Sequence, residues 1–409
     1  MSFQQGLSGL NAASKNLDVI GNNVANSSTV GFKQAQAQFA DVYASSLTGA
    51  GSSQVGIGTQ VLQVAQQFTQ GNISSSNNPL DIAINGGGFY RLSNNGTISY
   101  SRNGQFQLDK SGYIINANGD RLTGYSANAS GVLATGAPTD ININTSDIAP
   151  KTTSTVNAVL NLNSSNTAPT AAFDMTDPTT YNNATSVTVY DSLGNTHTLE
   201  TYYVKTAANT WNVYAAGDGT AIGYTPPAAA VPVGSVTFNS SGALTSGSPI
   251  AIAVPTTTGA GTPIAVSMDY TGTTQYGSAF SVNSLKQDGY ASGSLSSFNT
   301  SSDGTIVGSY TNGQSATLGQ IVLANFTDPN GLQPLGGNEW AETAASGPAL
   351  VGTPGSGQLG VLQSSATEDS NVDLTAELVN MITAQRNYQA NAQTIKTQDS
   401  VMQTLVNLR

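Results

Sequence analysis

A chain of 409 residues has room for two to four domains, yet only 9% of its residues are charged, against roughly 25% in an ordinary soluble domain; 44 glycines and abundant Ser, Thr and Asn fill the gap. A net charge of −11 excludes the clustered positive face that a nucleic-acid partner needs, and the absence of Cys excludes a disulfide framework or a thiolate metal site. No stretch approaches the roughly 18 apolar residues of a membrane helix, so membrane insertion is not expected either, and the profile is that of an extracellular β-rich structural protein.

At the N-terminus, Phe3, Leu7, Leu10, Leu17 and Val24 recur at three- and four-residue steps, widened by Ala13 and Ile20 and interrupted by Ser14 and Gly21, which predicts an amphipathic helix over residues 1–24. Ser2 followed three residues on by Gln5 fits a capping box. Asn22, Asn23 and Asn26, then a Ser-Ser-Thr run and Gly31, mark the stop with residues that tolerate turn and left-handed backbone. The first residues lack the charged and apolar regions of a secretory signal peptide, so any export is expected without a cleaved signal. Residues 25–71 read as a connector, with a short helix in GFKQAQAQFADVYASSL and a Gly-rich extended segment in TGAGSSQVGIGTQV.

From 72 to 147 short apolar runs alternate with the turn dipeptides Asn95-Gly96, Asn103-Gly104, Ser111-Gly112 and Asn118-Gly119, the spacing of an all-β domain. Residues 148–286 are richer in Ala, Thr and Pro, with strand candidates at 186–191, 196–206, 210–216 and 263–271. The earlier style returns over 287–362, with Asp303-Gly304, Asn312-Gly313 and the strand-like GQIVLANF at 319–326, and 363–369 forms the return connector. The order implies nesting, with an outer β domain inserted into a middle one.

The C-terminal run from Leu374 to Arg409 has neither Gly nor Pro and places Leu374, Leu378, Met381, Tyr388, Ala392, Ile395, Met402 and Val406 at alternating three- and four-residue steps, which predicts one helix of roughly 50 Å capped by one of Asp369, Ser370, Asn371 or Asp373. Its seam is broken by Gln385 and Asp399, so a pair made from the two terminal helices is marginal alone and needs neighbouring copies. Both ends carry balanced charge, and the acidic excess lies between them. The fold class read from this is α+β, mainly β: terminal helices (1–24 and 370–409) paired as a coiled-coil-like inner layer, with two antiparallel β domains nested between them. Leu378 or Ile395, if fully buried, would cost about 2–5 kcal/mol on truncation to Ala.

Little chemistry is in view. GSGQLG at 355–360 matches a dinucleotide fingerprint in letters but lacks the βαβ context, and Asn85-Gly86-Gly87-Gly88 reads as a tight turn or bulge between strands rather than an anion cradle. His197 is the one histidine and sits in an alternating strand pattern, leaving almost no material for a metal cluster or a catalytic triad. Asp269, Asp288 and Asp303 are indistinguishable from turn residues. Neither a cofactor, a metal nor enzymatic activity is expected.

Three segments carry a resemblance. GNNVANSSTVGFK (21–33), with Asn22, Asn23, Asn26, Thr29, Gly31, Phe32 and Lys33, resembles the N-terminal signature of the flagellar rod and hook axial proteins, departing from it in Gly21 where Ala is usual. QGNISSSNNPLDIAINGGGFY (70–90) and residues 377–409 resemble the same family, and QDGYASGSL (287–295) and GQIVLANFTDPNGL (319–332) are similar to its hook members. The resemblance implies a self-assembling subunit of a helical, flexible tube that joins rod to filament as a universal joint outside the cell. It also implies export through the flagellar type III apparatus, growth under a hook cap, and contact with a rod subunit and a hook–filament junction protein. Two alternatives stay open: a distal rod subunit, forming straight tubes, and an extracellular β-rich adhesin, binding glycans as a monomer.

Overall fold

Helix α1 (Ser2–Ala25) and helix α2 (Leu374–Asn407) lie at the two ends of a chain otherwise built from short strands. The structure is a computed structural model that describes residues 2–43, 56–128, 131–223 and 229–407. Asp373 caps α2, its Oδ1 accepting from the N–H groups of Thr375 (2.9 Å) and Ala376 (3.1 Å), as the sequence allows. At the other end the expected Ser2–Gln5 capping box lies outside the described residues. Gln5 Nε2 donates to Gly56 O at 2.6 Å. Among the described residues no helix is long and apolar enough to cross a membrane.

The chain divides into two units. The first comprises Met1–Thr145, Ser297–Ser309 and Ser315–Arg409. Here the connector departs from expectation: strand β1 (Ala35–Val42) stands where a short helix was predicted, paired antiparallel with β2 (Gly58–Gln66), while residues 44–55 lie outside the described set. The reason is periodicity, since Ala-Gln-Ala-Gln alternates every second residue and one face, with Ala37 and Ala65 buried, packs beneath α1.

Most of the remaining strands of this unit form a sheet whose path includes Ser315–Ile321, Arg121–Ser126, Phe89–Asn94, Thr97–Ser101, Glu339–Ala341 and Gln333–Gly336, while Ile82–Asn85 pairs with Val361–Ser364 and Ile73–Ser75 with Ala366–Glu368. Asn95-Gly96 is the expected two-residue hairpin turn, both residues at positive φ, with Asn94 opposite Thr97. Asn103-Gly104 is not a hairpin: Gly104 lies where a Cβ would collide with the Ile82 carbonyl, so glycine is needed there for close approach rather than for a turn. Phe89, Tyr100, Phe326 and Trp340 form an edge-to-face aromatic core joined by Phe68.

The second unit, Ser146–Ser296 with Tyr310–Gln314, packs two sheets face to face. One contains Thr155–Asn161 between Ile264–Asp269, its one parallel neighbour, and Ser281–Gln287; the other runs Asn183–Tyr190, Thr196–Ala207, Thr210–Gly217, Gly234–Phe238 and Leu244–Ser246. Alternate residues Val156, Ala158 and Leu160 meet Leu199, Tyr203, Trp211 and Val213 in the core. His197 is buried and fully engaged, Nδ1 at 2.6 Å from Asp218 Oδ2 and Nε2 at 3.2 Å from Asp191 Oδ2. Burial alone would lower the imidazole pKa, but hydrogen bonds and charge from Asp218 and Asp191 outweigh it and the net shift is upward.

A raised folded-state pKa makes this cluster's stability complete below the unfolded value near 6.5 and lost as pH rises through the folded value. The unfolding midpoint of this unit, followed by Trp211 fluorescence in a Trp340→Phe chain, should therefore fall as the pH rises above the ordinary imidazole value, and His197→Gln should flatten that slope. An unchanged slope in His197→Gln would show that the cluster is not its source.

Candidate assembly interface

Lys33, the last residue of the N-terminal signature, is the centre of a buried ionic node. Its Nζ lies 2.7 Å from Glu368 Oε1 and donates to Thr69 O at 2.8 Å; Arg102 approaches the same carboxylate from the other side, NH2 to Oε2 at 2.9 Å. All three side chains are essentially inaccessible to solvent. Burial and Arg102 push the Lys33 pKa down against the pull of Glu368, while Arg102 and Lys33 together overcome the burial that would raise Glu368 and hold it below its usual range. The Asn85-Gly86-Gly87-Gly88 turn completes the node with carbonyls: Gly86 O accepts from Arg102 NH1 at 3.0 Å, and so does Gly88 O.

The rest of the signature positions Lys33. Gly31 has φ +73° and a Cβ there would lie 2.7 Å from Asn103 N, so only glycine lets the chain pass Arg102 and Asn103; its N–H donates to Glu368 O at 2.8 Å. Phe32 is buried. Asn23 uses both ends of its amide on Ala35, accepting from its N–H at 2.9 Å and donating to its O at 2.8 Å, which ties the end of α1 to the start of β1. Asn26 Nδ2 donates to Asn22 O (2.9 Å), and Thr29 Oγ1 donates to Asn26 Oδ1 (3.2 Å), closing the turn after the helix. Asn371 accepts from Gln34 N at 2.7 Å and donates to Gln67 O at 2.7 Å, so the segment entering α2 is bound to the open end of the hairpin, at the residues just before β1 and just after β2.

The helices run antiparallel, the start of α1 against the later part of α2. A Cβ on Gly6 would lie 3.1 Å from Ile395, and one on Gly9 would lie 2.7 Å from Asn391. Gly6, Ala13, Ile20 and Asn23 are the buried positions of α1, facing an α2 row of Glu377, Met381, Ala384, Asn391 and Ile395. Of the residues singled out from sequence, Met381 and Ile395 belong to this seam and are half-buried; Leu10, Leu17 and Val24 are half-buried; Leu7 (43% exposed), Leu378 (45%), Tyr388 and Met402 (60%) are open to solvent. The intramolecular seam thus consists largely of small and amide side chains, and much of the apolar stripe stays uncovered.

Arg102, Glu368, Asn371 and Glu377 were not foreseen. Their partners lie hundreds of residues away in sequence, and no spacing rule connects them; the one available signal was that a chain so poor in charge places Lys33 directly after an apolar residue.

Glu368→Ala would leave two buried cations without their carboxylate and should lower the unfolding free energy of the first unit by about 3–5 kcal/mol, measured by urea titration of Trp340 fluorescence in a Trp211→Phe chain. A loss below about 1 kcal/mol would contradict the role given to the node. Gly21, beside which a Cβ meets nothing, should accept Ala with a gain of about 0.5–1 kcal/mol in helix stability, read by circular dichroism.

Four sequence families match along the chain: flagella basal body rod protein (3–33), flagellar hook protein FlgE/F/G D1 domain (83–160), flagellar basal body protein FlaE D2 domain (161–290) and flagellar basal body rod FlgEFG protein C-terminal (363–408). The chain is 47% identical to the flagellar hook protein FlgE of Salmonella typhimurium over 100% of both chains, and 33% identical to that of Rhizobium meliloti over 100% of this chain and 98% of the relative. The Helicobacter pylori flagellar hook protein FlgE2 shares the fold with a TM-score of 0.51 at 14% identity, covering 72% of this chain and 100% of that one. With identity of this extent and its mainly β fold closed by packed terminal helices, the chain belongs to the flagellar hook protein family.

Proposed function

We propose that this chain, as a structural hook protein, polymerises through its helical ends into a hollow, flexible tube that transmits torque as a universal joint. The observation that carries this reading is the uncovered apolar stripe of α1 and α2: Leu7, Leu378, Val379, Ile382 and Met402 are exposed although the helices already pack on each other. Apolar residues left open on both terminal helices call for burial against other copies. In this reading residues 1–24 and 370–409 form the inner layer, 25–71 and 363–369 the connectors, 72–147 with 287–362 the middle layer, and 148–286 the outer one. Small, wet contacts between the β layers would let neighbouring subunits slide at little cost as the tube bends.

The partners follow from the same role: further copies of the chain along the tube, a rod subunit below, a hook–filament junction protein above, a cap during growth, and the flagellar export apparatus, which would deliver the subunit outside the cell without a cleaved signal peptide. Neither nucleic acid nor a membrane is part of this reading.

Exposure separates assembly from folding. Leu378→Asp lies at a solvent-exposed site of the monomer and should change its stability by no more than about 0.5 kcal/mol, yet should abolish tube formation. Electron microscopy of the variant beside the unmodified chain checks this, and normal curved tubes from Leu378→Asp would refute the inner-layer assignment.

A further inference from the structure

Glu377, in the first turn of α2, is 3% exposed, and only one of its carboxylate oxygens is engaged: Oε1 accepts from Gln34 Nε2 at 2.6 Å, while Oε2 has no partner. It lines a cleft of about 690 Å³ between α1, β1 and α2, whose other walls are amides such as Asn16 and Asn387 and the apolar side chains of Val19, Phe39 and Ala384. A buried carboxylate with a free oxygen is an expensive group to leave unpaired, and nothing on the walls of this cleft carries positive charge.

The complementary cation lies on the far side of the same helix. Arg386 follows Glu377 by nine residues, which at about 100° per residue is half a turn away and about 13.5 Å along the axis. Arg386 is exposed and has no ion pair among the described residues. Val379 (58% exposed) and Ile382 (51%) precede it on that outward face, two apolar side chains within two turns of the cation. The cleft offers the opposite charge, one anion among amide, hydroxyl and apolar side chains. Other cations of the helices fit less well: Lys15 already pairs with Asp18 at 3.3 Å, and Lys396 stands about 100° from Glu377 rather than opposite it.

Resting on the polymerisation reading above, we propose that the cleft receives the outward face of α2 from a second copy, with Arg386 of that copy pairing with Glu377 Oε2. A donor on one face and its acceptor on the opposite face make a heterologous contact, the kind of contact from which an open helical assembly is built when its rotation does not close. Guanidinium suits the place better than ammonium, being weakly hydrated and planar enough to share a carboxylate that already holds one amide.

The test is a double-mutant cycle on the full chain, read as the critical concentration for tube growth. Glu377→Gln keeps the shape of the side chain and its reach to Gln34, so the monomer should fold as before. Glu377→Gln and Arg386→Gln should each raise the critical concentration about tenfold or more, and the double variant should be no worse than either single one. Independent effects that multiply, or growth of Glu377→Gln at the unmodified concentration, would overturn the pairing. A second measurement leaves both charges in place: the chain has no cysteine, so Asn380→Cys and Gln389→Cys chains, mixed and treated with a short bismaleimide, should cross-link in tubes and not as monomers. Tubes without cross-links overturn the docking geometry alone, whereas failure of the unmodified chain to form tubes would overturn the polymerisation reading on which it rests.

Discussion

One carboxylate holds the two ends of this chain together. Glu368 lies 335 residues from Lys33 in sequence, and its two oxygens bind Lys33 and Arg102 in a site closed to solvent. A lone buried charge there would cost several kcal/mol, so the three side chains can be buried only together. That requirement fixes where α1 ends, where α2 begins and how the turn at residues 85–88 is placed, because Gly31, Gly86 and Gly88 contribute backbone groups to the same node. The hydrogen bonds of Asn23, Gln34 and Asn371 then extend the fixed point into the β1–β2 hairpin and the first turn of α2.

Beyond this anchor the helices are bound to each other weakly. Gly6, Gly9 and Ala13 allow a close approach but bury few methylene groups, and Asn391 fills the place where a larger apolar knob would sit. The arrangement therefore combines a stiff base at Lys33 and Glu368 with an apolar surface left over for other contacts. A stronger intramolecular seam, with Leu7 and Leu378 turned inward, would make a more stable monomer with less to offer a neighbour.

Much of the fold was legible because local rules decide it. Periodicity located both helices to within a residue or two, Asn95-Gly96 marked a true hairpin, and the strand candidates at 196–206 and 210–216 lie within observed strands. Two readings failed for identifiable reasons. The run GFKQAQAQFADVYASSL reads as carrying a short helix, yet its Ala-Gln-Ala-Gln alternation builds a strand once β2 and α1 supply a surface. Asn103-Gly104 has the letters of a turn, but its glycine answers the Ile82 carbonyl, a contact no local pattern announces. In the interface the signature residues were visible as a motif, whereas which helix face turns inward was not: the choice of Gly6 and Ala13 over Leu7 and Leu10 depends on the partner helix, and Glu368 as the partner of Lys33 depends on the whole chain.

The polar content of α2 is consistent with a surface that must be covered without being locked. Thr383, Thr394, Thr397, Ser400 and Thr404 each donate to the carbonyl four residues back in their own helix. Such back-bonding satisfies the hydroxyl inside the helix at a small cost in helix stability, so these groups ask for no specific partner on a neighbouring copy. Between them stand isolated apolar residues, Val401, Met402 and Val406, whose contacts are non-directional. A face composed this way gains from being buried but sets few geometric conditions on how, and a small axial shift changes its contacts by degrees rather than breaking them. Directional restraint is then left to the few charged groups, which is why a chain with so little charge can place each one where a single orientation matters.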